Sequence, residues 1–167
     1  AKIMEGKVTD WFVTFVNPGH PIPEEIVHLT GITDDDVADA PSVEEALTSL
    51  VKFVGDAKLV AHNAEFDKHF TTAHPAGYPL LENTWIDSLE LSRISLPRLR
   101  SHRLFDLVQA FDLPVSTHRA DDDVAATCAL YRILLAAVSV MPPALVSEIS
   151  RLTTPDVWPT GKVFAFF

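Results

Sequence analysis

What most constrains this chain is a repeated step from a short apolar strand straight into a helix. Lys58-Leu59-Val60-Ala61 is a compact strand-forming run, and a helical pattern begins at Asn63 or Ala64, with Phe66 and Phe70 spaced to lie on its inner side. The step recurs at Thr84-Trp85-Ile86, after which Asp87 is placed to cap a helix over Ser88 to Arg93. Strands that alternate with helices in this way put helices on the faces of a sheet, so the expected fold class is α/β and layered.

The flanking segments agree with that class. Residues 8 to 16 are rich in β-branched and aromatic types, and Glu5-Gly6-Lys7 supplies a hairpin turn back to a strand over Ala1 to Met4. Asn17-Pro18-Gly19 ends the second strand, Pro21 and Pro23 prevent further pairing, and Pro23 suits the first position of a short helix that ends near Gly31. Thr33 to Asp36 and Ser42 to Glu45 both have capping-box spacing. Ala46, Leu47, Leu50, Val51 and Val54 then recur on one helical face before Gly55. Three more amphipathic helices are predicted: one through Leu104, Leu107, Val108 and Phe111, a long one through Val124, Cys128, Tyr131, Leu134 and Leu135, and one through Leu145, Ile149 and Leu152. The tail from Thr153 is broken by prolines and ends apolar at Val163 to Phe167, so it either packs on its own domain or leads into something else.

Bulk properties narrow the function classes. A chain of 167 residues with 47% hydrophobic and 22% charged residues fits one domain with a sizeable core. Cys128 has no cysteine partner, which excludes an internal disulfide and a zinc-finger spacing and favours a reducing, cytoplasmic setting. No apolar run reaches the roughly 18 to 20 residues that cross a bilayer, and Ala1 to Gly6 lacks a signal-peptide core, so no membrane or export role is expected. The net charge of -10 argues against coating duplex DNA by a global field. It leaves room for an enzyme that takes a strand end into a cleft, since carboxylates that hold cations drive the formal charge negative.

The residues that could carry chemistry are mostly acids and histidines near helix starts. His118 and Asp123 would sit roughly 140° apart if both lay on one helix at about 100° per residue, so joint use requires His118 to precede the helix. Asp121, Asp122 and Asp123 open a helical pattern, where capping and the helix dipole explain them as readily as metal binding does. Asp67 taken alone is an ordinary helix acid. Asp87 is explained by capping, and Arg93, Arg98, Arg100, His102 and Arg103 either meet phosphates or form a solvated loop face.

In combination these segments resemble a family. His62-Asn63-Ala64-Glu65-Phe66-Asp67 at a strand end, an acid about twenty residues later at Asp87, and His118 to Asp123 at a helix start are similar in order and spacing to the DEDDh branch of the 3′ to 5′ exonucleases. Asn17-Pro18-Gly19-His20-Pro21-Ile22-Pro23, Leu29 to Thr33 and Val37 to Pro41 also resemble that group, closest to the proofreading domains of bacterial DNA polymerase III and the exonuclease domains joined to DinG-like helicases. The resemblance covers residues 1 to about 138, leaving 139–167 as a C-terminal helix and apolar tail that looks like a connector to a further domain.

The resemblance implies a ribonuclease H-like mixed sheet flanked by helices and an enzyme that removes nucleotides from single-stranded DNA 3′ ends with two Mg2+ or Mn2+ ions. It also implies a polymerase or helicase as partner or fused domain. It makes Asp67 and Asp123 metal ligands and His118 the general base. His62, Asn63, Phe66 and Asp87 fall where substrate contacts or support of the ligands would lie. The chain departs from the family in lacking an Asp-x-Glu pair followed by Thr-Thr-Gly, which belongs to the first, central strand. The expectation is therefore an exonuclease domain that is catalytically incomplete as it stands, binding at most one ion weakly. A vacant central strand also leaves unpaired backbone edges, which predicts self-association or a hydrophobic groove beside Val8 to Val16 and Leu59 to Ala61. The alternative is a non-catalytic module of exonuclease ancestry that binds a protein or nucleic acid.

Overall fold

The computed structural model describes residues 1–117, 119–154 and 157–167. Strand β1 (Lys2–Met4) turns through Glu5 and Gly6 into β2 (Lys7–Asp10) as an antiparallel hairpin. Both turn residues have positive φ, the geometry a tight two-residue hairpin loop demands. The strand expected over residues 8 to 16 stops at Asp10 because β1 offers it only three residues to pair with.

Helix α1 (Glu24–Thr30) starts one residue later than expected, with Pro23 as its cap, and ends on Gly31 in the left-handed region. Both predicted capping boxes form. Thr33 N–H donates to Asp36 Oδ2 at 2.8 Å before α2 (Asp34–Val37), and Ser42 exchanges bonds with Glu45 before α3 (Val43–Val54).

The strand-to-helix steps appear as predicted. β3 (Leu59–Ala61) leads into α4 (Ala64–Thr71), and β4 (Trp85–Asp87) leads into α5 (Ser88–Ser95). The two strands pair in parallel with Leu59 opposite Trp85, Val60 opposite Ile86 and Ala61 opposite Asp87. That register brings the ends of both strands, and the starts of both helices, to one edge of the molecule. The sheet is thus split into a hairpin and a parallel pair, an α/β architecture with its middle strand absent among the described residues. On its far side β4 is covered by the tail, where Asp87 N–H donates to Thr160 Oγ1 at 3.0 Å.

The core is built on α5, α6 (Leu104–Phe111) and α7 (Ala120–Ser139), with Leu91, Leu107, Leu130 and Leu134 fully buried around Ile86. Burial of each such side chain contributes about 1.5 to 3 kcal/mol. Helix α8 (Pro143–Leu152) and the 3₁₀ segment Pro159–Phe166 complete the same core through Val146, Val163 and Phe164. The apolar tail therefore packs on its own domain. No single helix among the described residues is long and apolar enough to cross a membrane.

Three packing faces differ from the sequence expectation. Phe66 and Phe70 are 60% and 62% exposed and pack against each other with tilted rings, centroids 4.6 Å apart, instead of pointing inward, because α4 enters the fold on its first residue, buried Ala64. In α7 the buried stripe is Ala126, Leu130, Leu134 and Val138, so Val124, Cys128 and Tyr131 flank it. In α8 the buried residue is Val146, which turns Leu145 and Leu152 outward.

Candidate active site

Asp67 projects from the first turns of α4, close to the end of β3. Its carboxyl pKa is raised, first by burial and then by the negative charges of Asp87 and Asp123. The residue keeps more than a third of its surface in water, so that desolvation is partial. Acids at three separate helix starts thus lie within electrostatic reach of one another. A cation there would relieve the mutual repulsion.

Each of the three acids is held differently. Asp87 caps α5, and its Oδ1 accepts from Leu89 N–H at 2.8 Å and from Asn63 N–H at 3.1 Å. Capping and placement beside Asp67 are thus one arrangement. Asn63 can reach Asp87 because its backbone is left-handed (φ 74°), a conformation that asparagine tolerates better than most residues. Asp123 receives the Ser116 hydroxyl on Oδ1 at 2.6 Å. Its neighbours in the acidic run turn elsewhere, Asp122 to the Thr117 hydroxyl and Asp121 to Arg119 at 3.6 Å. Among Asp121, Asp122 and Asp123, only Asp123 is coupled to Asp67.

His62 is a brace. Its Nε2 lies 2.9 Å from the His102 carbonyl and its Nδ1 lies 3.0 Å from Ser88 Oγ. Burial lowers its pKa, which the hydrogen bond to the His102 carbonyl only partly opposes, so the ring is neutral near pH 7. A carbonyl only accepts, hence Nε2 carries the proton of the neutral ring, while the single proton of the buried Ser88 hydroxyl is shared between His62 Nδ1 and the Ala61 carbonyl, 3.1 Å away. This joins the end of β3, the start of α5 and the loop after α5. Phe66 stands exposed on α4 one residue before Asp67, with its ring against that of Phe70.

His118 lies outside the described residues. Among the described residues no group of three His, Cys, Asp or Glu side chains converges tightly enough to cage an ion. The donor set is nevertheless of the hard-oxygen type that Mg2+ and Mn2+ take, so it fits part of a divalent-ion site.

Sequence reasoning missed four supports. Ser116 and Thr117 are the signal it could have used, since hydroxyls just ahead of an acidic helix start are placed to hold those acids. Ser88 and Thr160 offer no comparable local pattern, because both act across the fold.

Comparison with known proteins places this arrangement. The RNase_T family model, described as Exonuclease, matches residues 1–131. The chain is 44% identical over 129 residues, 75% of its length, to a PolC-type DNA polymerase III of Halalkalibacterium halodurans. It is 40% identical over 153 residues, 90% of its length, to the PolC-type enzyme of Caldanaerobacter subterraneus subsp. tengcongensis. It spans only 9% and 11% of those two relatives. Among solved structures, exonuclease X in complex with 5′ overhanging duplex DNA superposes with a TM-score of 0.65 at 25% identity, covering 81% of this chain and 78% of that one.

Proposed function

We propose that this chain, which belongs to the DEDDh-type 3′ to 5′ exonuclease family, supplies half of the site of a metal-dependent 3′ to 5′ exodeoxyribonuclease of the proofreading or repair type. The observation that carries the reading is the parallel register of β3 and β4, which sets Asp67 at the start of α4 and Asp87 at the end of β4 on one edge, where the charge of Asp123 at the start of α7 also reaches Asp67. In this reading Asp67 and Asp123 ligate Mg2+ or Mn2+, and His118 takes the proton of the attacking water, a task suited to an imidazole of ordinary pKa near 6.5. A divalent ion, when bound, supplies electrostatic stabilisation of the oxygens at the phosphorus undergoing displacement. Asp87 fixes Asn63 beside the acids, His62 stiffens the adjoining loop, and Phe66 offers a stacking face to the terminal base of a single-stranded DNA 3′ end. A polymerase or helicase region joined to this domain would deliver that end.

The test is to place a strand carrying Asp-x-Glu-Thr-Thr-Gly ahead of Ala1 and to follow a 5′-labelled single-stranded oligodeoxynucleotide. The expected result is stepwise loss of nucleotides from the 3′ end with Mg2+ or Mn2+ and none with a chelator, while residues 1–167 alone are inactive and bind at most one ion weakly. A folded extended protein without activity would hand the lead to the second reading, a non-catalytic nucleic-acid- or protein-binding module. The absence of a three-residue ligand cage among the described residues is the observation that favours that second reading.

The split sheet also bears on association. Val8, Trp11, Val13 and Phe15 are exposed apolar side chains beside a β2 that is solvent-facing along its whole length. We expect the 167-residue chain to self-associate through this edge, with a mass by light scattering that rises with concentration and falls back to the monomer on Val13→Lys. A monomer at all concentrations would contradict it.

A further inference from the structure

Four of the chain's seven arginines lie between residues 93 and 103, and the stretch from Leu91 to Phe105 contains no Asp or Glu. Three of them, Arg93, Arg100 and Arg103, line one open cleft of about 650 Å3 together with Asn63, Leu89 and Leu104. Arg98, from the same loop, does not line it. Among the described residues no carboxylate comes within 4 Å of these three guanidinium groups, although the chain holds 23 Asp and Glu residues. Arg119 and Arg151, in contrast, are paired with Asp121 and Glu148. Three cations sharing an open concavity repel each other, which is unfavourable unless an anion enters.

The wall that carries them is held in place. His62 Nε2–H donates to the His102 carbonyl at 2.9 Å, Leu99 N–H donates to the Leu96 carbonyl at 3.1 Å, and the Ser101 hydroxyl donates to Asp106. A fixed wall lowers the ordering cost of binding. Asn63 lines the cleft while its N–H holds Asp87, so the cleft is contiguous with the acid cluster.

We propose that this cleft is a phosphodiester subsite, in which Arg93, Arg100 and Arg103 hold the backbone of a single strand on the interior side of the end presented to Asp67 and Asp123. Guanidinium groups match phosphate oxygens bidentately, and Leu89 and Leu104 give an apolar floor for sugar and base. The cleft lets a chain of net charge -10 hold a polyanion: the attraction is local, beside acids that would otherwise repel the strand. The proposal rests on the nucleic-acid reading above, and it names how the strand is held.

The experiment is fluorescence anisotropy of a labelled twelve-nucleotide oligo(dT) with the 167-residue chain, in EDTA at low salt, so that binding is read apart from catalysis. Replacing all three arginines (Arg93→Gln, Arg100→Gln, Arg103→Gln) should weaken binding at least about tenfold. It should also lower the slope of log affinity against log salt by about 2, roughly 0.7 for each phosphate no longer neutralised. Arg98→Gln should change affinity less than about twofold. Deoxythymidine monophosphate and inorganic phosphate should fail to displace the oligonucleotide at concentrations where unlabelled oligo(dT) does. If circular dichroism shows the triple variant unfolded, the exposed Arg100→Gln alone should lower the slope by about 0.7. Unchanged binding by the arginine variants, an equal loss in Arg98→Gln, displacement by the mononucleotide, or no binding by the folded wild-type chain would each overturn the proposal. A chain that binds through the cleft yet never cleaves after extension keeps this inference and sinks the enzymatic one; cleavage with unchanged binding by the triple variant does the reverse.

Discussion

His118→Ala is expected to lower the rate of nucleotide release by about 10² to 10⁴ in a protein that carries the Asp-x-Glu strand ahead of Ala1, with oligonucleotide affinity unchanged. In the sequence His118 directly precedes Arg119, the residue that caps α7, so it stands ahead of the helix while Asp123 falls in its first turns. A proton acceptor of this kind acts on the chemical step alone, so single-turnover rates fall and binding does not. The rising limb of the pH–rate profile should vanish in the variant as well, an effect that a merely structural histidine would not produce. Asp123→Asn should cost at least as much, because it removes a cation ligand from the point where Asp67 and Asp87 already repel each other. Ser116→Ala should cost less, about 10- to 100-fold, since the hydroxyl only orients Asp123. Full activity in His118→Ala would remove histidine from the mechanism.

Local signals carried the fold far. Capping boxes at Thr33 and Ser42, the stop at Gly31 and the strand-to-helix steps at Ala61 and Asp87 are short-range patterns whose physics is complete within a few residues, and the structure contains all of them. Faces were harder to read than elements. Phe66 and Phe70 are spaced for a buried stripe, but which side of α4 is buried depends on where β3 and β4 hold its first turn, and only Ala64 is close enough to enter the core. The strand over residues 8 to 16 failed for a related reason: its composition favours a ladder, yet a ladder needs a neighbour of equal length, and β1 has three residues. For the site, sequence order supplied the acids and the fold supplied their coupling. Thr160 could not have been foreseen at Asp87, because a hydrogen bond between residues 73 positions apart leaves no local pattern.

Phe164→Ala should destabilise the chain by about 3 to 5 kcal/mol, measured as a shift in the midpoint of urea unfolding without a large change in slope. The residue is 1% exposed, belongs to the core of Leu91, Leu107, Leu130 and Leu134, and stacks on Trp158 at 6.3 Å. Trp158 in turn donates from Nε1 to Glu90 at 3.1 Å, and Gly161 packs so tightly that an added Cβ would collide with the Thr153 side chain. A tail fixed at these points cannot collapse into the void that alanine would leave, so the cavity cost should be near the top of the range. Phe167→Ala, at a half-exposed ring outside the core cluster, should stay within about 0.5 kcal/mol. The contrast separates a docked tail from a connector that only rests on the surface, because a connector would give two small effects. It also reaches the site: Thr160 holds the backbone of Asp87, so loosening the tail should weaken the placement of the acid that caps α5 and faces Asp67.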